Sequence, residues 1–169
     1  MKKMDKDGLL LCDLQGETFE LSTDLTSTSS EIFVRRFMNS KTAKMIDGKD
    51  ILQTNLQARD IIDLVLAEYK DSSYGSIKYN KNEMYWIGYF YRYFSYTYEL
   101  SSNRVYKIVK PKELRDLFLS YHTLSLEQAI ERVLESKGLK PEFEEDINRQ
   151  FEIYKRIVNC WFAIDYWTF

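Results

Sequence analysis

Between Met84 and Tyr98 the chain reads MYWIGYFYRYFSYTY, nine aromatic residues in fifteen. Rings at this density need a large apolar environment, so the segment dictates where the core lies. The whole stretch Glu83–Leu100 is too long for an ordinary strand, which favours helix. As a helix it places Trp86, Tyr89, Phe90, Tyr93 and Thr97 on one face. It also aligns a more polar stripe of Tyr85, Gly88, Arg92, Tyr96 and Glu99. A helix apolar almost all round belongs at the centre of a bundle. Tyrosine suits that place because its ring packs while its hydroxyl finds a partner.

The rest of the chain can supply the surrounding helices. At 169 residues one domain is expected, and six Gly with two Pro leave few interruptions to regular structure. Ala58, Ile61, Ile62, Val65, Leu66 and Tyr69 form an apolar stripe of helical period over 55–70, opposite Arg59, Asp60, Asp63 and Glu68. A helix is predicted from Glu31 to Lys44, capped by Ser29 or Ser30, with Glu31 and Arg35 as an i,i+4 pair and Asp47-Gly48 as its stop. Residues 71–82 read as a polar loop. Residues 103–109 form a short helical turn, and Pro111 opens a helix over 112–120. Ser125-Leu-Glu-Gln is a capping box for a helix ending at Gly138. Pro141 opens a last helix, acidic at 142–146, with Ile147, Phe151, Tyr154, Val158, Trp161 and Phe162 on one face. At the N-terminus, two apolar runs flank Gln15-Gly16, so residues 8–21 read as a β-hairpin and 22–30 as a polar linker.

The expected fold is therefore mainly α, a single-domain bundle of five to six helices around the aromatic helix. It is preceded by a small N-terminal β-hairpin with its linker (1–30). The helical core covers 31–138 and the C-terminal helix 139–169. Trp86, Phe90, Phe94, Ile62, Val65, Phe151 and Trp161 are the expected core.

Several function classes recede. No run of 18 apolar residues or export signal is read, so a cytoplasmic, non-membrane protein with reduced thiols is expected. Cys12, Cys160 and His122 cannot make a zinc cage of the usual kind. The cysteines read as small hydrophobes, and His122 as a loop residue before a helix cap. There is no Walker loop, GxGxxG, HExxH or GxSxG. The acid pairs Asp60/Asp63 and Glu127/Glu131 read as solvated helix faces. No catalytic residue, metal or cofactor is assigned.

Charge is more informative. The net value is −2, yet residues 70–112 hold eight Lys/Arg against three Asp/Glu. Well before them in sequence stands Arg35-Arg36-Phe-Met-Asn39-Ser-Lys41, with two guanidiniums, an amide and an amine within seven residues. Such a set suits a phosphate or an acidic surface. The predicted working surface joins Arg35, Arg36, Asn39 and Lys41 to Tyr85, Arg92 and Tyr96 of the aromatic helix, and to Tyr106 and Lys107. Arg and Tyr are enriched at binding hot spots. A competing reading makes Arg92 an internal ion-pair partner of Glu99 or Glu83, and pairs Arg35 with Glu31.

Four blocks, Phe33–Asp47 (FVRRFMNSKTAKMID), Met84–Tyr93 (MYWIGYFYRY), Ser102–Leu114 (SNRVYKIVKPKEL) and Tyr121–Val133 (YHTLSLEQAIERV), resemble a group of small proteins of Gram-positive bacteria. Members of that group are often encoded beside predicted ADP-ribosyltransferase-like toxins. The resemblance implies a non-catalytic, antitoxin-like component of a toxin–antitoxin or defence module that binds and neutralises a protein partner, such as an ADP-ribosyltransferase-like toxin. It carries over no catalytic residues. The alternative is a toxin-like enzyme acting on nucleic acid or a nucleotide, and a nucleic-acid partner is the less favoured of the two.

Overall fold

The structure is a computed structural model that describes residues 1–139. Among these are eight α-helices, a 3-10 turn and no strand. The helices are α1 (Lys6–Leu25), α2 (Ser30–Asn39), α3 (Lys41–Asp47), α4 (Ala58–Tyr69), α5 (Lys81–Thr97), α6 (Ser102–Ile108), α7 (Pro111–Tyr121) and α8 (Leu126–Ser136). The 3-10 turn, Asp50–Gln53, lies between α3 and α4. The mainly α class thus holds, with more helices than the five to six expected. By its contacts the chain divides into units Met1–Ile130 and Glu131–Phe169, and α1 to α7 all lie in the first. The predicted helix after Pro141, with Phe151 and Trp161, lies outside the described residues.

The N-terminal hairpin is the main correction. Residues 8–21 belong to the 20-residue α1, and most of the supposed linker is helix or helix cap. Gly8 and Gly16 suggest a turn in sequence, but in the structure they are contact points. A Cβ on Gly16 would come within 2.9 Å of the Tyr85 ring, and one on Gly8 within 2.7 Å of the Tyr96 ring. On the other side, a Cβ on Gly88 would lie 2.6 Å from the carbonyl oxygen of Gln15. Glycines on both helices therefore bring α1 and α5 together at backbone distance, the most extensive helix pairing in the molecule. A ring or backbone occupies the space that a side chain would need.

Helix α5 starts at a reciprocal cap. Asn80 Oδ1 accepts from the Glu83 amide at 2.8 Å, and Glu83 Oε2 accepts from the Asn80 amide at 2.9 Å. It ends with Glu99 at φ 53° and the Leu100 amide donating to the Ser95 carbonyl at 3.0 Å, a closing turn usually built on glycine. Between these ends Met84, Ile87, Phe90, Tyr91 and Phe94 are wholly buried, as are Ile61, Ile62 and Val65 of α4. Trp86, expected in the core, is only half-buried: it lies against Phe90 and edge-on to Phe118 of α7. The predicted 31–44 helix is two helices. Ser40 turns its hydroxyl back to the Phe37 carbonyl and caps α3 through the Ala43 amide, which breaks the run.

Residues 70–80 cross the surface without regular structure but are firmly tied. The Ser29 and Ser30 amides donate to the carbonyls of Tyr74 and Ile77, and Lys78 Nζ reaches the Thr26 carbonyl at the end of α1 at 2.7 Å. A cation at the carboxyl end of a helix is favourable. This strap brings the end of α4 back towards α2.

Candidate functional site

Of the polar stripe, Gly88, Arg92 and Tyr96 are buried, Tyr85 is half-buried and Glu99, beyond the end of α5, is exposed. Arg92 is 1% exposed. Its Nε donates to Gln15 Oε1 at 2.9 Å, Nη1 pairs with Asp47 Oδ1 at 2.7 Å, and Nη2 donates to Ser102 Oγ at 2.8 Å. Asp47 in turn accepts from the amide and hydroxyl of Ser102. One guanidinium thus links α1, α3, α5 and the start of α6. The internal ion pair that sequence allows is present, but its acid is Asp47, not Glu99 or Glu83. Tyr96 and Tyr85 are committed as well. Tyr96 donates to the Asp5 carboxylate at 2.6 Å and accepts from Lys49 Nζ at 2.8 Å; Tyr85 donates to Asp13 at 2.9 Å. Burial and the Asp13 contact push the Tyr85 phenol well above its ordinary pKa.

Beside Arg92, at the carboxyl end of α5, lies a pocket of about 300 Å³ lined in part by Lys2, Lys49, Tyr96 and Glu99. Its cations are matched. Lys2 approaches Asp5 at 4.0 Å and Lys49 approaches Asp7 at 3.8 Å, with both ammoniums over the Tyr96 ring. The Lys2 amide also caps the Thr97 carbonyl. These groups complement the helix end and leave no surplus charge for a ligand.

The cleft between α2, α4 and α6 differs. It encloses about 510 Å³ and is lined by Arg35, Arg36, Asn39, Tyr69 and Tyr106. Four of the residues singled out in sequence thus come together there: Arg35, Arg36, Asn39 and Tyr106. Tyr69 was read only as the end of the α4 stripe, and its ring-plus-hydroxyl chemistry gave no separate signal. Tyr85, Arg92 and Tyr96 do not line the cleft. Lys41 and Lys107 are exposed and not part of its lining. Lys41 contributes its backbone amide to Glu68 at 2.9 Å.

Within the cleft the arginines have different duties. Arg36 donates from Nη1 to the Lys70 carbonyl at 3.0 Å and from Nη2 to Ser72 Oγ at 2.8 Å, pinning the strap where Lys70 adopts φ 55°. Arg35 is exposed, and its guanidinium has no hydrogen bond or ion pair among the described residues. The expected Glu31 partner is engaged by the Tyr79 hydroxyl at 2.6 Å instead. The hydroxyls of Tyr69 and Tyr106 are likewise without partners among the described residues. Burial raises both phenols above their ordinary pKa, so at neutral pH both remain protonated donors; the Arg35 charge partly opposes this at Tyr106. Lys110 covers the Tyr106 ring at 4.0 Å. Asn39 is held by its own Nδ2 bond to the Arg35 carbonyl and by a donor from Asn103.

The cleft thus gathers the Arg35 guanidinium and two phenol hydroxyls that have no hydrogen-bond partner among the described residues, with Arg36 and Asn39 engaged beside them. Elsewhere among the described residues the reactive types are quiet, and Cys160 lies outside those residues. Burial raises the Cys12 thiol to about 12, which keeps it protonated. His122 stacks on Phe118 with Nδ1 2.8 Å from the Phe118 carbonyl. Among the described residues no three His, Cys, Asp or Glu side chains gather as for a metal, and no helix is long and apolar enough to cross a membrane. No protein-family model, curated protein or solved structure matches the chain.

Proposed function

We propose that this chain is a non-catalytic binding protein, antitoxin-like within a toxin–antitoxin or defence module, that engages its partner through an anionic group seated in the α2–α4–α6 cleft. The observation that carries this reading is the Arg35 guanidinium in one cleft with two phenol hydroxyls, none of the three hydrogen-bonded among the described residues. Arginine is the residue of choice for a carboxylate or phosphate at an interface, and its planar fork needs little reordering to bind one. The four-block resemblance supplies the biological setting. The partner would be the product of an adjacent gene, such as an ADP-ribosyltransferase-like toxin, in the cytoplasm.

Co-expression tests the reading. The chain should rescue growth when the neighbouring gene arrests it, and should co-purify with that product. Arg35→Ala should lose both effects while remaining folded. Growth arrest by this chain alone, relieved by the neighbour, would instead establish the toxin-like alternative, an enzyme acting on nucleic acid or a nucleotide.

A further inference from the structure

We infer that the anionic group for which the cleft is built is a nucleoside phosphate, an inference that rests on reading the cleft as an anion receptor. The unspent donors define one end of the ligand. Arg35 offers a guanidinium fork, and the protonated hydroxyl of Tyr106, whose phenol feels the Arg35 charge, can add a hydrogen bond beside it. Among the described residues the lining itself carries no acid, while the acids Glu68 and Glu31 stand close enough to help raise the Tyr69 and Tyr106 phenols. Size and walls define the other end. A bare phosphate or carboxylate would leave most of the 510 Å³ empty, whereas sites for small organic ligands span roughly 300–1,000 Å³. Tyr69 of α4 offers its ring, whereas the Tyr106 ring of α6 is already met by Lys110 Nζ at 4.0 Å. Flat bases stack on a ring such as that of Tyr69.

Asn39 completes the set. One Nδ2 hydrogen is committed to the Arg35 carbonyl, and Oδ1 accepts once from Asn103. One donor and one acceptor site are left, the pair with which an amide reads the edge of a base. Arg36 adds positive charge to the wall while its Nη atoms hold the strap. The pocket at the carboxyl end of α5 lacks this combination, because each of its cations already faces an acid.

Calorimetric titration of the full chain with AMP, adenosine, inorganic phosphate, a 5′-phosphorylated hexanucleotide and a hexaglutamate peptide tests the inference. AMP should bind at least tenfold more tightly than either inorganic phosphate or adenosine. Arg35→Ala should weaken AMP tenfold or more with its thermal midpoint nearly fixed. Tyr69→Leu should weaken AMP while leaving inorganic phosphate unchanged, and Tyr106→Phe should weaken both. A hexanucleotide that binds more tightly than AMP would place the phosphate on a strand end; the reverse order identifies the free nucleotide. Arg35-dependent binding of hexaglutamate without AMP would overturn this inference and leave the anion-receptor reading standing. Failure of every probe would overturn both.

Discussion

Arg92 and Arg35 are both arginines on helices, and the molecule treats them in opposite ways. Arg92 is closed off between α1, α3 and the start of α6, with Asp47, Gln15 and Ser102 taking its hydrogens. Arg35 stands exposed at a cleft, and its guanidinium makes no hydrogen bond or ion pair among the described residues. A buried guanidinium is tolerable only when its donors are met, because desolvation is repaid through good geometry alone. A half-open one can be left unmet, since water serves until a ligand arrives. The contrast separates an arginine that organises the fold from one available for recognition, although both look alike in sequence.

The sharpest way to break this contrast is to remove the inner charge. Arg92→Ala leaves Asp47 partly buried and unpaired, and losing one member of a buried pair costs about 3–5 kcal/mol. Chemical denaturation should show that loss, with little stable protein at 37 °C. Gly88→Ala attacks the same seam sterically. A new methyl group would press on the Gln15 carbonyl, a backbone atom that cannot swing aside, and overpacking of this kind costs about 1–3 kcal/mol. A variant as stable as the parent would show that α1 and α5 are not in such close contact. Asn80→Ala removes one half of the α5 cap and should cost about 1 kcal/mol, leaving ligand binding unchanged.

Acid provides a gentler probe. The Tyr96 hydroxyl holds the Asp5 carboxyl below its ordinary pKa, aided by the Gly8 amide, and the Tyr93 hydroxyl does the same for Glu127. A carboxyl whose pKa is depressed by folding adds stability above its unfolded value, and that contribution is lost as pH falls through the folded value. Thermal midpoints should therefore change little for this reason down to about pH 5 and drop below about pH 4. Tyr96→Phe should shallow the drop. An unchanged slope would mean that Asp5 gains nothing from Tyr96.

How far the sequence reveals these features depends on the kind of signal. Helices α4, α5 and α7 are legible because the apolar period of 58–69, the length of the aromatic run and Pro111 all act locally. α1 is not, because Gly8 and Gly16 have the same appearance whether they form a turn or admit the Tyr96 and Tyr85 rings. The distinction is made by residues 69 to 88 positions away. The α5 stripe shows the same limit. Period 3.6 groups Tyr85, Arg92 and Tyr96 correctly, but it cannot tell whether their side faces water or a glycine-bearing helix. At the cleft, Arg35, Arg36 and Asn39 are visible as a cluster and Tyr106 as a neighbour of basic residues. Tyr69 is not, because it comes from α4 and its role depends on the packing of three helices.

The most direct test sets Arg35→Ala and Arg92→Ala side by side, measuring the thermal midpoint and Arg35-cleft binding with AMP as probe. The account predicts that Arg35→Ala melts within about 0.5 kcal/mol of the parent, as surface changes usually do, yet binds at least tenfold more weakly. Arg92→Ala should melt far lower, and any fraction still folded at low temperature should bind AMP as the parent does. An Arg35 variant that loses stability as heavily as the Arg92 variant, or one that binds AMP as well as the parent, would contradict the division between the two arginines.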